Sequence, residues 1–315
     1  MLINHISYYL PDNIISNSFF CDKNNIQQEE IVAKSGIKNR RYIKPGENTN
    51  SMAIEAVKQA IPELPYSVGE IDLIVGATYT PYDTIVTIAH SVQNEFKIKN
   101  AKCFCIDSAC SSFVNAVEIV ESFFISQKAT KALIIISECN SSFCDFSDTK
   151  SNFLWGDGAA AVFISNSSFS KYDLEIVDIE TRGLGHVGKG SEAVGLRPNH
   201  GGLRMPHGKD VFQFACIYMQ EESEKILNKN HCSVFQLRFF IPHQANLRII
   251  NHVAEKLNIE PSKVLHNIEN IGNTGSASTP ILLSQNIKKL NQKDMVLITV
   301  FGGGYSVGTL LLKKI

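Results

Sequence analysis

The sequence predicts an α/β fold built from two similar halves. Short apolar runs, typical of buried strands, alternate with helical patterns along the chain, which indicates layered helices and sheets. The second half then repeats the first half's order of strand, helix and glycine-rich return strand. With 44% hydrophobic and 19% charged residues among 315, the composition is sufficient for a large core.

Seven apolar runs predict the strands. Each run is far shorter than the ~20 residues of a membrane span and is bounded by polar residues or glycine. The predicted strands are 71–78, 102–107, 132–138, 159–165, 238–243, 295–301 and 307–312.

Helices are predicted from apolar residues at helical spacing. Phe113, Val117, Val120 and Phe124 recur at intervals of four, three and four residues, which places them on one face of a helix. The segment 246–258 shows the same pattern.

The repeated order of elements predicts where the halves meet and which turns correspond. Cys110 and Asn273 each precede a helix and then a strand. Residues 165–172 are polar and typical of a loop. We therefore predict an N-terminal half at 1–168 and a C-terminal half at 169–315.

Composition excludes several classes of function. The formal net charge of −1 provides no strong field for nucleic acid or an anionic membrane. The N-terminus lacks the features of a signal peptide, and eight cysteines are too few for a disulfide scaffold of this length. We expect a cytoplasmic protein without a membrane span.

One glycine-rich segment matches a nucleotide-binding pattern. Residues 183–188 fit the G-x-G-x-x-G fingerprint, which requires a helix to follow so that its N-terminus can bind phosphate. Residues 189–208 contain five further glycines and two prolines after Lys189. We expect no helix there and interpret the segment as a surface loop.

Three cysteines lie close together in the chain. Cys103 and Cys105 alternate within a predicted strand and are interpreted as small buried hydrophobic residues. Because the chain contains no C-x-x-C pair, a metal site is not expected. Cys110 differs, since it lies where a strand ends and a helix begins.

A thiol at a helix N-terminus is exposed to the positive end of the helix dipole, which favours the thiolate. Cys110 is therefore a candidate nucleophile with a lowered pKa, although an inert buried cysteine fits the local sequence equally well. His243 and Asn273 also lie at strand–helix turns. Each alone is compatible with a structural role, but the three together favour a catalytic site.

These residues resemble those of the β-ketoacyl-acyl-carrier-protein synthase III family, which belongs to the thiolase-like superfamily. The resemblance spans nearly the whole chain, and its main segments are DSACSSF, WGDGAAAVF, IPHQANLR, GNTGSAS and FGGGYSVG. It implies a five-layered αβαβα fold of two duplicated halves.

The resemblance also implies the roles of individual residues. Cys110 would be acylated by a thioester, while His243 and Asn273 would bind a malonyl thioester carbonyl during decarboxylation. The backbone N–H groups of Cys110 and Gly303 would form the oxyanion hole. No cofactor is implied, because coenzyme A or acyl-carrier-protein thioesters are substrates.

Several positions depart from the family pattern. In the family, an aromatic ring and an arginine commonly hold the adenine of coenzyme A between them. This chain has Glu30 at the aromatic position and Lys34 at a nearby arginine position, and it has no arginine at residues 149–150, where the other arginine of the family would fall. Arg248 matches a residue that contacts acyl carrier protein. Carrier protein is therefore the expected partner. Ser112 replaces a glycine, and we expect it to narrow the pocket.

Ile85 matches a residue that crosses a homodimer interface and lines the acyl tunnel.

Relatives with other chemistry provide the alternatives. A degradative thiolase would need a cysteine near the C-terminus, but the last one is Cys232, before both His243 and Asn273. Chain-elongating ketosynthases use two histidines, and the nearest extra one, His266, is interpreted as a loop residue. A transferase that forms esters or amides without decarboxylation, and a non-catalytic subunit of a heterodimer, stay open.

Overall fold

A computed structural model describes residues 1–315, apart from the side chains of residues 22 and 24. The strands are β1 (Leu2–Tyr9), β2 (Asn13–Ser16), β3 (Asn39–Tyr42), β4 (Leu73–Ala77), β5 (Lys102–Ile106), β6 (Lys131–Cys139), β7 (Asp157–Ser165), β8 (Leu174–Gly183), β9 (Gly195–Arg197), β10 (Gly202–Arg204), β11 (Leu237–Pro242), β12 (Met295–Gly302) and β13 (Ser306–Lys314). The α-helices are α1 (Ser18–Asn24), α2 (Gln28–Ser35), α3 (Thr49–Ala60), α4 (Ile88–Glu95), α5 (Ser112–Ile125), α6 (Gly190–Ala193), α7 (Gly208–Lys229), α8 (Leu247–Lys256), α9 (Ile268–Ile271) and α10 (Ser278–Asn286).

Nine strands form one mixed sheet in the order β11-β12-β13-β8-β1-β7-β6-β4-β5. The sheet consists of two parts, which join where Leu2 and Ile3 of β1 pair with Glu175 and Leu174 of β8. The strand pairs β4–β5, β4–β6 and β11–β12 are parallel, whereas β6–β7 and β12–β13 are antiparallel.

The two parts of the sheet repeat one topology. The first runs β1-β7-β6-β4-β5 and the second runs β8-β13-β12-β11. Beside β11, a single parallel bridge between Phe240 and Val264 takes the place that β5 takes beside β4. Cys110 follows β5, and Asn273 follows the Val264 segment, so the two residues lie at equivalent turns. The predicted duplication is confirmed.

The helices complete five layers. α3 and α4 cover the outer face of the first half-sheet, and α7, with α8 packed on it, covers the outer face of the second. α5 and α10 contact strands of both half-sheets and form the central layer. The largest core cluster lies there and includes Phe113, Ile134, Leu282 and Leu310. The five-layered thiolase-like fold expected from the resemblance is therefore present.

Each of the seven predicted strands overlaps an observed strand, and the two predicted helices correspond to α5 and α8. The proposed boundary at residues 168 and 169 lies between β7 and β8. The central strands β1 and β8 were not predicted. In β8 the acidic side chains of Asp178 and Glu180 pair with Lys229 of α7, so this strand lacks an apolar run.

Two expectations need correction. A helix does follow the glycine-rich segment, but α6 has only four residues. Asp210 Oδ1 accepts a hydrogen bond from the Lys189 N–H, which helps to fix this turn. Cys103 and Cys105 are only partly buried, because β5 is the edge strand of the sheet.

Among the helices of the described residues, none is both long and apolar enough to cross a bilayer.

Candidate active site

The turn between β5 and α5 presents Cys110. Ala109 has φ of +50°, in the left-handed region that non-glycine residues rarely adopt. Asp107 Oδ1 accepts from the Ala109 N–H at 2.8 Å. Ser112 Oγ accepts from the Ser108 N–H at 2.8 Å and donates to the Ala109 carbonyl at 2.7 Å. Ser112 thus stabilises the turn from beneath and does not line the cavity, contrary to our expectation.

A cavity of about 370 Å³ reaches Cys110. Its lining residues are Tyr79, Asp107, Ser108, Ala109, Cys110, Trp155, Val194, Gly195, Leu196, Leu203, Gly303 and Gly304. The Gly303 backbone N–H donates a hydrogen bond to the Cys110 sulfur. A Cβ atom on the neighbouring Gly302 would lie 2.7 Å from the Ser108 carbonyl oxygen, so glycine is required for this close packing.

The electrostatic environment of Cys110 differs from the sequence-based expectation. Burial raises the pKa of the thiol, and the carboxylates of Glu138 and Asp107 raise it further. Hydrogen bonds from the Gly303 N–H and the Tyr79 hydroxyl act in the opposite direction. The prediction of a lowered pKa was therefore wrong for the resting site, because desolvation outweighs the donors that favour the thiolate.

His243 directly follows β11 and is buried. Its Nδ1 lies 2.8 Å from Ser278 Oγ, and that oxygen also accepts from the Gln244 N–H at 3.5 Å. A Ser278 hydroxyl that donates to Nδ1 would leave the imidazole proton on Nε2. Burial lowers the pKa of His243 to about 4, so the ring is a neutral donor near pH 7.

Asn273 is held by the backbone on both sides. Its N–H donates to the Leu154 carbonyl at 2.8 Å, and its own carbonyl accepts from the Gly156 N–H at 2.9 Å. Asn273 Oδ1 accepts from the Gly275 N–H at 2.9 Å. The side-chain oxygen is thus occupied, and the amide N–H₂ group is left as the donor of this buried residue.

The three predicted catalytic residues lie at one edge of the two half-sheets. Ser278, which contacts His243, begins α10 five residues after Asn273. Tyr79 lies between this turn and the nucleophile, since it lines the cavity that reaches Cys110 and a Cβ atom on Gly275 would lie 2.4 Å from its hydroxyl oxygen. His243 and Asn273 themselves are not among the residues that line the cavity.

The sequence did not point to Glu138. This buried carboxyl group accepts from the Ser276 hydroxyl at 2.5 Å, the Thr80 hydroxyl at 2.8 Å, the Thr78 hydroxyl at 3.1 Å and the Tyr79 N–H at 3.3 Å. Burial raises its pKa to about 8 despite these donors. Glu138 joins the end of β4 to the turn after Asn273. The sequence signal that could have identified Glu138 is its position as an acidic residue at the end of the apolar run 132–138.

The residues predicted to bind substrate or partner lie on the surface. Lys34 of α2 forms an ion pair of 3.5 Å with Glu30, and both side chains are about half exposed. α2 contacts α8, where the exposed Arg248 guanidinium lies 5.5 Å from the centre of the Phe212 ring. Ile85 is 84% exposed and does not line the cavity.

No group of three or more histidine, cysteine or acidic side chains suited to a metal ion occurs among the described residues. His266 lies outside any helix or strand, and its Nδ1 is 3.0 Å from Glu269 Oε2.

The neutral state of His243 predicts a pH-dependent loss of stability. The unfolded imidazole binds a proton near pH 6.5 but the native one near pH 4, so this contribution is lost as pH falls between those values. His243→Gln should reduce the drop in unfolding free energy between pH 7 and pH 4 by about 3 kcal/mol. Urea denaturation at pH 7 and pH 4 measures this drop in unfolding free energy, and His90→Gln, at an exposed histidine, is the control. An equal drop in both variants contradicts the assignment.

The comparisons with known proteins agree with this geometry. The 3-oxoacyl-[acyl-carrier-protein (ACP)] synthase III family model matches residues 104–185, and its C-terminal model matches residues 227–314. The beta-ketoacyl-[acyl-carrier-protein] synthase III of Aquifex aeolicus strain VF5 is 38% identical, with 97% of this chain and 96% of that protein covered.

Solved structures give the same result. The crystal structure of 3-oxoacyl-[acyl-carrier-protein] synthase III from Aquifex aeolicus VF5 matches with a TM-score of 0.92 and 37% identity, covering 99% of both chains. The priming beta-ketosynthase of the R1128 polyketide pathway matches with a TM-score of 0.90 and 26% identity, covering 99% of this chain and 96% of that one. The chain belongs to the β-ketoacyl-acyl-carrier-protein synthase III family of the thiolase-like superfamily.

Proposed function

We propose that this chain is a condensing enzyme that joins an acyl group to a malonyl thioester with loss of carbon dioxide. The observation that most directly supports the proposal is the Cys110 sulfur, which lines the cavity and accepts the Gly303 N–H. A specialised fatty-acid or polyketide pathway would use such a product.

In the first half-reaction the Cys110 sulfur attacks the carbonyl of an acyl thioester. A carbon–sulfur bond forms to Cys110, the donor's thiolate leaves, and it takes up the proton that Cys110 gives up. The tetrahedral intermediate places negative charge on oxygen, and the backbone N–H groups of Cys110 and Gly303 are the proposed donors to it.

In the second half-reaction the malonyl thioester loses carbon dioxide and forms an enolate. Neutral His243 and the Asn273 amide group are suited to donate hydrogen bonds to the enolate oxygen. The carbanion then attacks the acyl-Cys110 carbonyl, and the thiolate is released. Loss of carbon dioxide generates the carbanion, so no strong base is required.

Removal of either donor should affect decarboxylation more than acylation. We expect His243→Ala or Asn273→Ala to slow carbon dioxide release from malonyl-carrier protein by roughly 10²–10³, the usual loss for one oxyanion donor. Acylation of Cys110 should persist in both variants. The surface variant His266→Ala is the control.

The same assay separates the alternatives. Ester or amide product without carbon dioxide would support the non-decarboxylating transferase instead. A chain that neither accepts an acyl group nor releases carbon dioxide would support the non-catalytic subunit.

We propose acyl carrier protein as the physiological donor and partner. In α2, Glu30 and Lys34 form an ion pair at the place where the family pattern has an aromatic ring that stacks on the adenine of coenzyme A. Exposed Arg248 on the adjacent α8 is placed to contact acidic groups on a carrier protein. A lost base-stacking contact typically costs ~1–3 kcal/mol, or ~5- to 150-fold in affinity.

Matched acyl donors test this preference. We expect kcat/KM with the carrier-bound donor to exceed that with coenzyme A at least about fivefold, by the stacking estimate. Arg248→Glu should reduce the reaction of the carrier-bound donor more than that of coenzyme A. Arg238→Glu, an exposed arginine on β11, is the matched control. Equal or better efficiency with coenzyme A would overturn the preference.

We also propose that the chain forms a homodimer in the cytoplasm. β5 is an edge strand, and the 81–87 loop, which follows the adjacent strand β4 in the chain, exposes Tyr82, Ile85 and Val86 by 68%, 84% and 50%. An unpaired edge strand with apolar neighbours suits a second copy of the chain.

A charge in this loop should prevent association. We expect the native chain to sediment as a dimer and Ile85→Glu to sediment as a monomer, because burial of the carboxylate is unfavourable. Ile14→Glu, at an exposed isoleucine on β2, should remain dimeric. A native chain that is monomeric at micromolar concentration would contradict the proposal.

A further inference from the structure

Tyr79 follows β4 and lines the cavity of Cys110. Its hydroxyl donates to Asn140 Oδ1 at 2.8 Å, and it also lowers the pKa of the Cys110 thiol as a nearby hydrogen-bond donor. The same hydroxyl lies against Gly275, two residues after Asn273. One phenol group therefore lies near both the nucleophile and the turn that holds a proposed enolate donor.

The orientation of Asn140 identifies the alternative acceptor. Its Nδ2 donates to the Gly156 carbonyl at 2.7 Å and to the Asn273 carbonyl at 3.3 Å. These bonds direct Oδ1 toward Tyr79. Because a phenol has a single O–H proton, Tyr79 can donate either to Asn140 or to Cys110, but not to both at full strength.

The backbone of Tyr79 is fixed independently of its hydroxyl group. Glu138 accepts from the Tyr79 N–H and from the hydroxyls of Thr78 and Thr80 on either side. Since Glu138 also accepts from Ser276, the loop and the Asn273 turn are attached to one buried carboxyl group. Rotation of the O–H bond requires no movement of this framework.

The duplicated fold gives Tyr79 a position related to that of His243. Tyr79 follows β4 in the first half as His243 follows β11 in the second, and β4 and β11 occupy equivalent places in their half-sheets. The active site therefore receives a hydrogen-bond donor from the corresponding strand end of each half.

We propose that Tyr79 is a further catalytic residue, whose hydroxyl donates to Asn140 in the resting enzyme and to the Cys110 sulfur whenever that sulfur is a thiolate. This proposal rests on the proposed role of Cys110 as nucleophile. A hydrogen bond to a charged acceptor is stronger than one to a neutral amide oxygen, so the thiolate attracts the proton. Glu138 acts as a positioning residue for Tyr79.

Tyr79 keeps its own proton throughout the reaction. Burial and the neighbouring Cys110 raise its pKa well above the ordinary value, so it remains a donor. The Cys110 proton leaves with the donor's thiolate during acylation. In the condensation step the carbon–sulfur bond to Cys110 breaks, the thiolate returns, and Tyr79 again donates to it. Burial opposes the thiolate first, and nearby carboxylates oppose it further where they are ionised, so a donor of this kind stabilises it.

Alkylation of Cys110 by iodoacetamide tests the hydroxyl directly, with peptide mapping to distinguish Cys110 from other cysteines. Tyr79→Phe should shift the pH dependence of Cys110 alkylation upward by about one pH unit or more. At a fixed pH below the midpoint, this shift corresponds to about tenfold slower alkylation. The exposed Tyr82→Phe is the control. If Tyr79→Phe does not fold, Tyr79→Leu should give the same shift.

An unchanged pH profile in a folded Tyr79 variant would overturn the inference while leaving Cys110 as the nucleophile. A profile that shifts only together with a large fall in thermal stability would also overturn it, because the role would then be structural. A native chain in which Cys110 is never the preferred site of alkylation would instead contradict the proposed function.

Discussion

The left-handed backbone of Ala109 is the constraint on which the candidate active site depends. Such a conformation costs a non-glycine residue on the order of 1–3 kcal/mol. The side chains of Asp107, which accepts a hydrogen bond from this turn, and Ser112, which accepts one and donates one, offset that cost. The turn brings the Cys110 sulfur to the Gly303 N–H, which belongs to the other half of the chain. The packing of the two duplicated halves against each other therefore decides whether the Cys110 sulfur lies close to the Gly303 N–H of the oxyanion hole.

Burial determines the charge state of the resting site. It raises the pKa values of Cys110 and Glu138 and lowers that of His243, so the groups that would take part in chemistry tend toward their neutral forms, with Glu138 near its midpoint at about pH 8. Neutral hydrogen-bond donors can stabilise an enolate or an oxyanion. The thiolate is then favoured only by specific hydrogen bonds, from the Gly303 N–H and the Tyr79 hydroxyl, and by the arriving substrate.

The sequence predicted the features that depend on local pattern. Apolar runs located seven of the strands, and turns that precede helices pointed to Cys110, His243 and Asn273. It did not locate β8, whose acidic residues are neutralised by lysines of α7, or Tyr79 and Glu138, whose roles arise where distant strand ends meet. The lowered thiol pKa was also wrong, because desolvation depends on the completed fold.

Mass spectrometry of the intact protein after incubation with acyl-carrier-protein donors tests the central claim most directly, since it does not require knowledge of the second substrate. The account predicts that one acyl group is added, that peptide mapping locates it on Cys110, and that Cys110→Ala abolishes it. Acylation that persists in Cys110→Ala, or that maps to another cysteine, would contradict the assignment of the nucleophile.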